Sequence, residues 1–542
     1  MTSRRRARAL TLGTSALATT LALTVPATAQ ATGRDAVPGA GALRNASFDQ
    51  GLSGWKATGD RMAATVLASG HGSGDTSSLT HRSSKAYDVT TSQRAGGLTP
   101  GWWTLSAWVR SGGGLDTTTL RLTGCGSGAA RTVPVTEQDD QWVRLAVSAD
   151  VRGRGGCTVE VRTAGPAGSW ADVDDVELSP GRVARTVRGV DLSGLAKNED
   201  HGATYADASG HPADPVTLLA RSGANVGRLK VWVDPADGYN DTRHVVATAR
   251  RIKAAGMKLL VDFHYSDRWT DPGAQAPPAA WKGLDAHQMA AAVSAHTTSV
   301  LRALKAAHLS AEYVQVGNEI NPGLLHPLGQ TWDVDPTDAV AGAQWDNVAA
   351  FLTAGATAVK AVDPHTKVLL HLTNINDGIG GLTWWFDEVT KRHVPFDLIG
   401  LSYYGYWHGS LADLQNATAT LSSRYDKDVV VLETSYPWTL QDDPATPYEN
   451  SIDLPSELAK GYPATPAGQA ANFRAVQDAV VSAPGGRGLG AVYWEPAWTS
   501  VAGAGWDPAD PGSGNAWENQ AMFDHAGRLL PAARELRPDP RS

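Results

Sequence analysis

The stretch Tyr313–Glu319, which reads YVQVGNE, decides the fold class of this chain. A short apolar run ends here in glycine, asparagine and glutamate. Runs of this kind recur eight times, and amphipathic helical patterns such as Val245–Ala255 and Val340–Val362 lie between them. Apolar strands joined by helices are typical of a parallel sheet covered on both faces. Eight repeats in about 350 residues therefore predict a (β/α)8 barrel, which we place at residues 187–535.

The residues that follow each predicted strand are the candidates for a functional site, because barrel active sites lie at the C-terminal ends of the strands. Polar and aromatic residues follow nearly every run. The predicted strands are Val187–Val190, Val226–Val233, Leu259–Phe263, Tyr313–Val316, Val368–His371, Leu398–Tyr403, Val429–Leu432 and Ala491–Trp494.

Residues 43–179 have a different texture. Segments such as Trp102–Val109 and Trp142–Val147 alternate apolar and polar residues, and clusters of glycine and serine separate them. Strands at this spacing predict an all-β sandwich domain ahead of the barrel. Cys125 and Cys157 are the only two cysteines, and in an exported chain a disulfide between them is favoured over two free thiols.

Residues 1–29 read as a signal peptide. Four arginines precede an apolar run that ends in Ala27-Thr28-Ala29, an A-x-A cleavage signal. The run is too short for a stable membrane span, so we expect a secreted, extracellular protein. Removal of the leader makes the formal net charge of −8 more negative by four. This charge argues against a nucleic acid or a membrane surface as partner and is compatible with a neutral polymer.

Two glutamates, Glu319 and Glu433, follow the fourth and seventh strands. Cleavage of a glycosidic bond needs one carboxyl group to protonate the leaving oxygen and a second to attack the sugar or activate water. Carboxylates about 5 Å apart give retention of configuration, and wider gaps of about 6.5–9.5 Å give inversion. The two glutamates are therefore the candidate catalytic pair, and nineteen tryptophans offer platforms for sugar rings.

The order of these residues resembles the clan A glycosidases. The resemblance implies that Glu319 is the acid/base and Glu433 the nucleophile of a retaining mechanism. It also implies that Asn318 binds the sugar 2-hydroxyl and that Arg228 keeps the nucleophile ionised. Tyr403 or Tyr404 would donate a hydrogen bond to the nucleophile, and Trp494 would form the floor of the subsite where the bond breaks.

Several sequence blocks resemble glycoside hydrolase family 53 more closely. The resemblance implies an arabinogalactan endo-β-1,4-galactanase that acts on β-1,4-galactan, the side chain of type I arabinogalactan. Asp191, His264 and His371 are further candidates for substrate binding, although each could instead be a structural residue. The blocks are Arg188–Ser193, Gly227–Val233, Asp262–Asp267, Gln315–Ile320, Gly400–Tyr404, Glu433–Tyr436 and Trp517–Gln520.

The resemblance implies no cofactor for catalysis. Some bacterial members of the family hold calcium in the long loop after the seventh strand. Here that loop, Gln441–Asp453, contains oxygen ligands but lacks a regular alternation of Asp, Asn and His. A structural calcium ion in this loop is therefore an open alternative.

The N-terminal domain resembles carbohydrate-binding modules of family 61. The resemblance rests on Asn45–Asp49, His81–Tyr87, Val89–Gln93 and Trp170–Val176. It implies binding of β-1,4-galactan and a structural calcium ion held by Asp49 and Asp175. Candidate sugar contacts are His81, Arg82, Arg110 and Trp170.

Three other functions are alternatives to this one, and each predicts a different sequence feature or substrate. Another clan A endo-glycanase, acting on mannan, xylan or β-glucan, would share both glutamates. A galactan-binding protein with a degenerate barrel would lack the carboxylates, and both are present. A nucleotide-dependent α/β enzyme would need a glycine-rich turn after a strand, and no G-x-G-x-x-G follows any of them.

Overall fold

A computed structural model describes residues 43–71, 77–125, 131–134, 141–152, 155–446 and 448–538. It contains a β-sandwich followed by a closed barrel, which confirms the predicted fold class. The predicted signal peptide, residues 1–29, lies outside the described residues. Among the helices described, none has both the length and the apolar character needed to cross a membrane.

The sandwich consists of two five-stranded antiparallel sheets. Sheet 1 has the strand order β1-β4-β9-β6-β7, and sheet 2 has the order β2-β3-β10-β5-β8. The strands are β1 (Lys56–Gly59), β2 (Ala64–Leu67), β3 (Ser78–Arg82), β4 (Tyr87–Leu98), β5 (Gly101–Gly112), β6 (Thr117–Thr123), β7 (Arg131–Pro134), β8 (Val143–Val151), β9 (Gly155–Gly165) and β10 (Trp170–Pro180).

Alternation of side chains along these strands builds the core of the sandwich. In β4 the buried positions recur at almost every second residue, as expected where one face of each sheet covers the other. Cys125 and Cys157 form the predicted disulfide. It joins the end of β6 to β9, its hydrogen-bonded neighbour, so the alternative of two free thiols is wrong.

The barrel has eight parallel strands in sequential order around the ring. Each described α-helix lies between two successive barrel strands, and α1 and α2 both lie between β11 and β12. The strands are β11 (Val187–Asp191), β12 (Val226–Val231), β13 (Lys258–Phe263), β14 (Tyr313–Val316), β15 (Lys367–Leu372), β16 (Leu398–Ser402), β17 (Asp428–Thr434) and β18 (Gly488–Tyr493). The helices are α1 (Leu195–Asp200), α2 (Pro215–Ser222), α3 (Thr242–Ala254), α4 (Ala286–Ala306), α5 (Trp345–Val362), α6 (Ile379–Lys391), α7 (Leu411–Tyr425) and α8 (Pro466–Val481).

The barrel interior changes character along its axis. One cluster of apolar side chains from the strands fills its lower part, including Val187, Val226, Leu260 and Leu369. Towards the C-terminal ends of the strands, the buried side chains become charged or polar. Because a buried charge is stable only when it is paired, this upper layer must be a connected network, and the candidate site lies above it.

The sandwich contacts the barrel through the edge strand β8 and the helix α7. The side chain of Gln415 on α7 accepts a hydrogen bond from the backbone N–H of Arg144 at 2.8 Å and donates one to its carbonyl at 2.6 Å. Ser410, which caps the N-terminus of α7, also bonds to Gln141. Val143 of β8 packs into the hydrophobic core of the barrel domain.

Candidate active site

A cleft of about 480 Å³ opens at the C-terminal ends of the barrel strands. Glu319 and Glu433 both line it, and so do Asn318 and Trp494, as the sequence predicts. The remaining walls are largely aromatic. They include Trp269, Tyr404, Trp407, Trp498, Trp506 and Trp517. Flat aromatic walls around a carboxylate pair suit a chain of sugar rings, whose apolar faces stack on such side chains.

A tight backbone turn after β14 presents Asn318 and Glu319 to the cleft. Gly317 has a φ of +87°, and a Cβ atom at this position would lie 2.7 Å from the side chain of Ile320. Glu319 itself has a φ of +49°. Non-glycine residues rarely adopt this conformation, and they are held in it mainly at functional sites.

Arg228 is the centre of the buried network beneath the cleft. Its guanidinium group donates to Asp191 at 2.7 Å, to Asp262 at 2.8 Å and to Glu433 at 2.9 Å. The same group donates to the amide oxygens of Gln315 and Asn318. Only arginine carries a planar fork of donors that can serve so many acceptors at once.

Glu433 has two partners that favour its charged form. Arg228 binds Oε1, and the hydroxyl of Tyr404 donates to Oε2 at 3.2 Å. Burial raises the pKa of Glu433 to about 8, and the guanidinium group of Arg228 offsets only part of this increase. Of the two tyrosines that sequence left open, Tyr404 therefore has the expected position. The choice of Tyr403 is wrong, because side chains alternate past the end of β16 and the Tyr403 hydroxyl donates to the Gly409 carbonyl instead.

Glu319 lies in a different electrostatic environment. Its side-chain hydrogen bonds come from neutral hydroxyl groups, that of Ser402 at 2.6 Å and that of Thr373. Burial, together with the nearby charge of Asp271, raises the pKa of Glu319 to about 7. Burial raises the pKa of both carboxyl groups, so the difference between them lies in their partners: Glu433 is bound to a cation, and Glu319 accepts from a neutral hydroxyl. This is the combination that general acid catalysis beside a nucleophile requires.

Three predicted substrate-binding residues do not reach the cleft. Asp191 is buried and accepts from Arg228 and Ser193. His264 is buried between Asp262, at 3.0 Å, and the backbone and hydroxyl of Thr270. A direct sugar contact is wrong for both residues, because their polar atoms already have partners inside the protein.

His371 is the third of these residues. It is fully buried at the end of β15, with Nε2 2.9 Å from the Ser402 hydroxyl. Its Nδ1 faces the Asn318 and Gln315 side chains at 3.0 and 2.9 Å. Its ring therefore contacts the residues that hold Glu319 and not the space where sugar would lie.

A second buried ion pair supports the aromatic wall, and sequence reasoning missed it. Lys230 lies 3.1 Å from Glu495, and its ammonium group is 3.7 Å from the ring centre of Trp269. Trp269 in turn donates to the Trp506 carbonyl at 2.8 Å. The available signal was a charged or polar residue inside an otherwise apolar strand, which also marks Gln315 and Asp262.

The sandwich has its own polar and aromatic surface, on the outer face of sheet 2. Arg82, Arg110 and Trp170 lie together there, as the sequence predicts. The guanidinium groups of Arg82 and Arg110 are 5.2 and 5.9 Å from the Trp170 ring centre, and Arg110 is also 4.7 Å from that of Trp142. We name this surface, with its four residues, the tryptophan face.

His81 does not belong to the tryptophan face, so its predicted sugar contact is wrong. It points into the interior of the sandwich, where its two ring nitrogens contact the hydroxyls of Thr163 and Thr91 at 2.9 and 2.8 Å. Burial lowers its pKa to about 3. The alternation along β3 places neighbouring Arg82 on the outer face instead.

No cluster of three or more His, Cys, Asp or Glu side chains suited to a metal is present among the described residues. The Asp175 carboxylate lies 3.5 Å from the His71 ring, and Asp49 accepts from Ser47 at 2.8 Å. In the loop after β17, Asp442 accepts from Asn450. The described side chains therefore give neither calcium prediction a ligand set, and both stay predictions.

Comparisons with known proteins agree with this geometry. Residues 187–536 match the family model of glycosyl hydrolase family 53. An arabinogalactan endo-β-1,4-galactanase of Cellvibrio japonicus is 36% identical over 64% of this chain and 88% of that protein. An endo-β-1,4-galactanase of Bacillus subtilis is 32% identical over 64% of this chain and 84% of that protein.

A solved structure extends the comparison to the fold. The GH53 catalytic domain of Ignisphaera aggregans is 35% identical, covers 66% of this chain and 96% of that chain, and superposes with a TM-score of 0.60. The family match covers the whole barrel, including both glutamates that line the cleft. The chain is therefore a glycoside hydrolase and belongs to glycosyl hydrolase family 53.

Proposed function

We propose that this chain is an endo-β-1,4-galactanase that hydrolyses β-1,4-galactan, including the galactan of type I arabinogalactan, with retention of configuration. The observation that carries the proposal is the unequal environment of Glu319 and Glu433 in one aromatic cleft. The names of the Cellvibrio and Bacillus relatives support galactan as the substrate. An open cleft lined by several tryptophans favours attack within a polymer rather than at its end.

In the first step of the proposed reaction, Glu433 attacks the anomeric carbon and forms a covalent bond to the sugar. Glu319 gives its proton to the leaving oxygen as the glycosidic bond breaks. In the second step, Glu319 removes a proton from water, and the resulting nucleophile displaces Glu433. Arg228 and Tyr404 stabilise the Glu433 carboxylate before attack and after its release.

Digestion of linear β-1,4-galactan tests the substrate. We expect a series of short galacto-oligosaccharides early in the reaction, as endo cleavage produces. A proton NMR time course should show the β-anomer of the new reducing end first, because two displacements restore the starting configuration. Initial formation of the α-anomer would overturn the retaining mechanism.

The rival substrates are mannan, xylan and β-glucan, which other clan A endo-glycanases cleave. The same assay on these three polymers separates the alternatives. Turnover of one of them at a rate comparable to that of galactan would refute the proposed specificity while leaving the catalytic pair intact. The full chain should be used, since the sandwich and the barrel share contacts through α7.

We also propose that the protein is exported and that catalysis needs no cofactor. The basic leader and its A-x-A signal support export. N-terminal sequencing of protein recovered from culture medium should show a chain that begins at Gln30. Dialysis against EDTA should leave the rate of galactan cleavage unchanged, whereas loss of thermal stability under the same treatment would indicate structural calcium.

For the sandwich we propose binding of the same polymer through the tryptophan face. Four aromatic or guanidinium groups lie together on one surface there, and such a surface suits the flat face of a sugar ring. A second weak site on one polymer raises the effective substrate concentration at the cleft. We therefore expect the face to matter for long galactan and not for short oligosaccharides.

A further inference from the structure

Ser402, which donates a hydrogen bond to Glu319, belongs to a series of hydrogen bonds that the proposed reaction does not yet use. Ser402 Oγ lies 2.6 Å from Glu319 Oε1, and His371 Nε2 lies 2.9 Å from the same hydroxyl. Ser402 and His371 are both fully buried at the ends of neighbouring strands. These two hydrogen bonds therefore connect the carboxyl group of Glu319 to a histidine that is inaccessible to substrate.

The surroundings of His371 determine which ring nitrogen carries the hydrogen. Arg228 donates to the Gln315 side-chain oxygen, so the amide nitrogen of Gln315 faces His371 Nδ1 at 2.9 Å. The backbone N–H of Glu319 also points at Nδ1, at 3.4 Å. The Asn318 oxygen, 3.0 Å from Nδ1, already accepts from Arg228 and Gln315. The Gln315 nitrogen also faces the Gly317 carbonyl at 3.1 Å, so the backbone N–H of Glu319 decides the tautomer: Nδ1 accepts from it, and the hydrogen is on Nε2.

This tautomer fixes the direction of both hydrogen bonds between His371 and Glu319. His371 Nε2–H donates to Ser402 Oγ, and the hydroxyl hydrogen of Ser402 is directed to Glu319 Oε1. An oxygen that accepts such a short hydrogen bond is the less favourable place for the acid proton. The proton of Glu319 is then carried by Oε2.

We propose that Ser402 and His371 are positioning residues that hold the acid proton of Glu319 on Oε2, ready for transfer to the leaving oxygen. The proposal rests on the proposed function, in which Glu319 is the acid/base. In the transfer, the Oε2–H bond breaks and an O–H bond forms on the leaving oxygen. The hydrogen bond from Ser402 strengthens as Glu319 becomes a carboxylate, so it also stabilises the product of that step.

The same hydrogen bond sets the pH range of the acid. Ser402 lowers the pKa of Glu319, against the larger effect of burial, which raises it. His371 remains neutral because burial places its pKa well below the usual value. The other charged or titratable groups that face this region from the surrounding strands and loops are Arg228, His264, Asp271, Tyr404, His408 and Glu433.

The test is the pH profile of kcat/KM for galactan in Ser402→Ala and Ser402→Thr. In Ser402→Ala the hydroxyl is lost, so we expect the alkaline limb to move up by about one pH unit. We also expect kcat to fall about tenfold or more with galactan, but much less with an aryl galactoside whose leaving group needs no acid. Ser402→Thr keeps the hydroxyl and should restore both properties.

Ser435→Ala is the matched control. Ser435 is equally buried and lies two residues after Glu433, but its hydroxyl bonds to Gln520 at 2.6 Å and not to a catalytic carboxyl group. The alkaline limb of the kcat/KM profile of Ser435→Ala should coincide with that of the unaltered enzyme. An unmoved limb in Ser402→Ala, or an equal shift in Ser435→Ala, would overturn the proposal.

A second measurement uses the unaltered enzyme and so does not require that the Ser402 variants fold. Nitrogen-15 NMR of histidine-labelled enzyme should show neutral His371 with hydrogen on Nε2 at pH 6 to 8, whereas hydrogen on Nδ1 would refute the proposed direction. Failure of the unaltered enzyme to cleave galactan would count against the proposed function alone. Normal cleavage together with an unshifted Ser402→Ala profile would count against the positioning role alone.

Discussion

The barrel and the sandwich each contain an arginine beside their proposed sugar-binding region, but the two guanidinium groups lie in opposite surroundings. Arg228 is fully buried and donates to three carboxylates and two amide oxygens. Arg110 is one-fifth exposed, donates to the single carboxylate of Asp172 and stacks near two tryptophan rings.

The difference shows how the environment assigns a role to the same side chain. Buried among carboxylates, Arg228 controls charge: without it, several acids would lie unpaired in a region of low dielectric constant. At the surface, Arg110 adds a flat, weakly hydrated group to an aromatic platform. Variants in the barrel should therefore affect chemistry and stability strongly, and variants in the sandwich should affect polymer binding moderately.

The largest effect is expected for Glu433→Ala. Loss of the nucleophile removes the covalent step, so kcat for galactan should fall by at least about 10⁴-fold. Azide can occupy the vacated space, so with an activated galactoside it should restore turnover and give a glycosyl azide of inverted configuration. Glu449→Ala, which changes an exposed glutamate, is the control and should retain full activity. Near-normal rates in Glu433→Ala would refute the assignment.

Arg228→Lys should have the next largest effect. An ammonium group cannot reach five acceptors, so Asp191 and Asp262 would be left buried without a full partner. We expect the free energy of unfolding to fall by about 3–5 kcal/mol, measured by chemical denaturation, and kcat to fall with it. Arg424→Lys is the comparison, because Arg424 forms an exposed pair with Asp387 and its replacement should change the free energy of unfolding far less. Equal effects in the two variants would contradict the contrast between buried and exposed guanidinium groups.

Glu319→Gln tests the buried environment of the barrel site through the pH dependence of the free energy of unfolding. The pKa of Glu319 is about 7 in the folded protein and 4.5 for an ordinary glutamate, so the folded state binds its proton more tightly. The contribution of Glu319 to the free energy of unfolding is thus largest below pH 4.5 and is lost as the pH rises through 7. Glutamine cannot ionise, so the variant should exceed the unaltered protein in stability by about 3 kcal/mol at pH 8 and match it at pH 4. Thermal unfolding at both pH values measures this, and a larger gain at pH 4 would contradict it.

The smallest effect is expected for Trp170→Ala on the tryptophan face. Loss of one stacking platform should weaken binding to long galactan about tenfold in an affinity gel and leave the hydrolysis of short oligosaccharides unchanged. Trp102→Ala is the control, since Trp102 lies at the opposite end of β5 beside Arg182. Equal weakening in both variants would argue against a localised binding face.

The sequence predicts the barrel well because its strands are buried on both sides and read as continuous apolar runs. All eight predicted strands are present, with ends shifted by no more than about three residues, a normal uncertainty of strand boundaries. The four predicted cleft residues that follow strands, Asn318, Glu319, Glu433 and Trp494, line the cleft. For these four residues, the order of strands in a parallel barrel is enough to predict that they meet at the cleft.

What could not be predicted is where side chains point beyond the last strand residue. Tyr403 and Tyr404 are adjacent, and one step of alternation separates a ring that contacts Glu433 from one that does not. His81 fails for the same reason, since one step along β3 moves a side chain from the surface to the interior. The roles of Ser402 and Lys230 depend on partners far away in sequence, so only a three-dimensional structure brings them to notice.

The contact between Gln415 and Arg144 has a consequence for the sandwich as a separate protein. The side-chain amide of Gln415 pairs with a backbone N–H and C=O of β8 as a neighbouring strand would, and Val143 beside it is covered by the barrel. Cutting the chain between the domains would leave β8 as an open sheet edge with an apolar residue exposed. Unprotected edges recruit strands from other molecules. A sandwich expressed alone should thus tend to self-associate, because the barrel no longer covers the edge of β8.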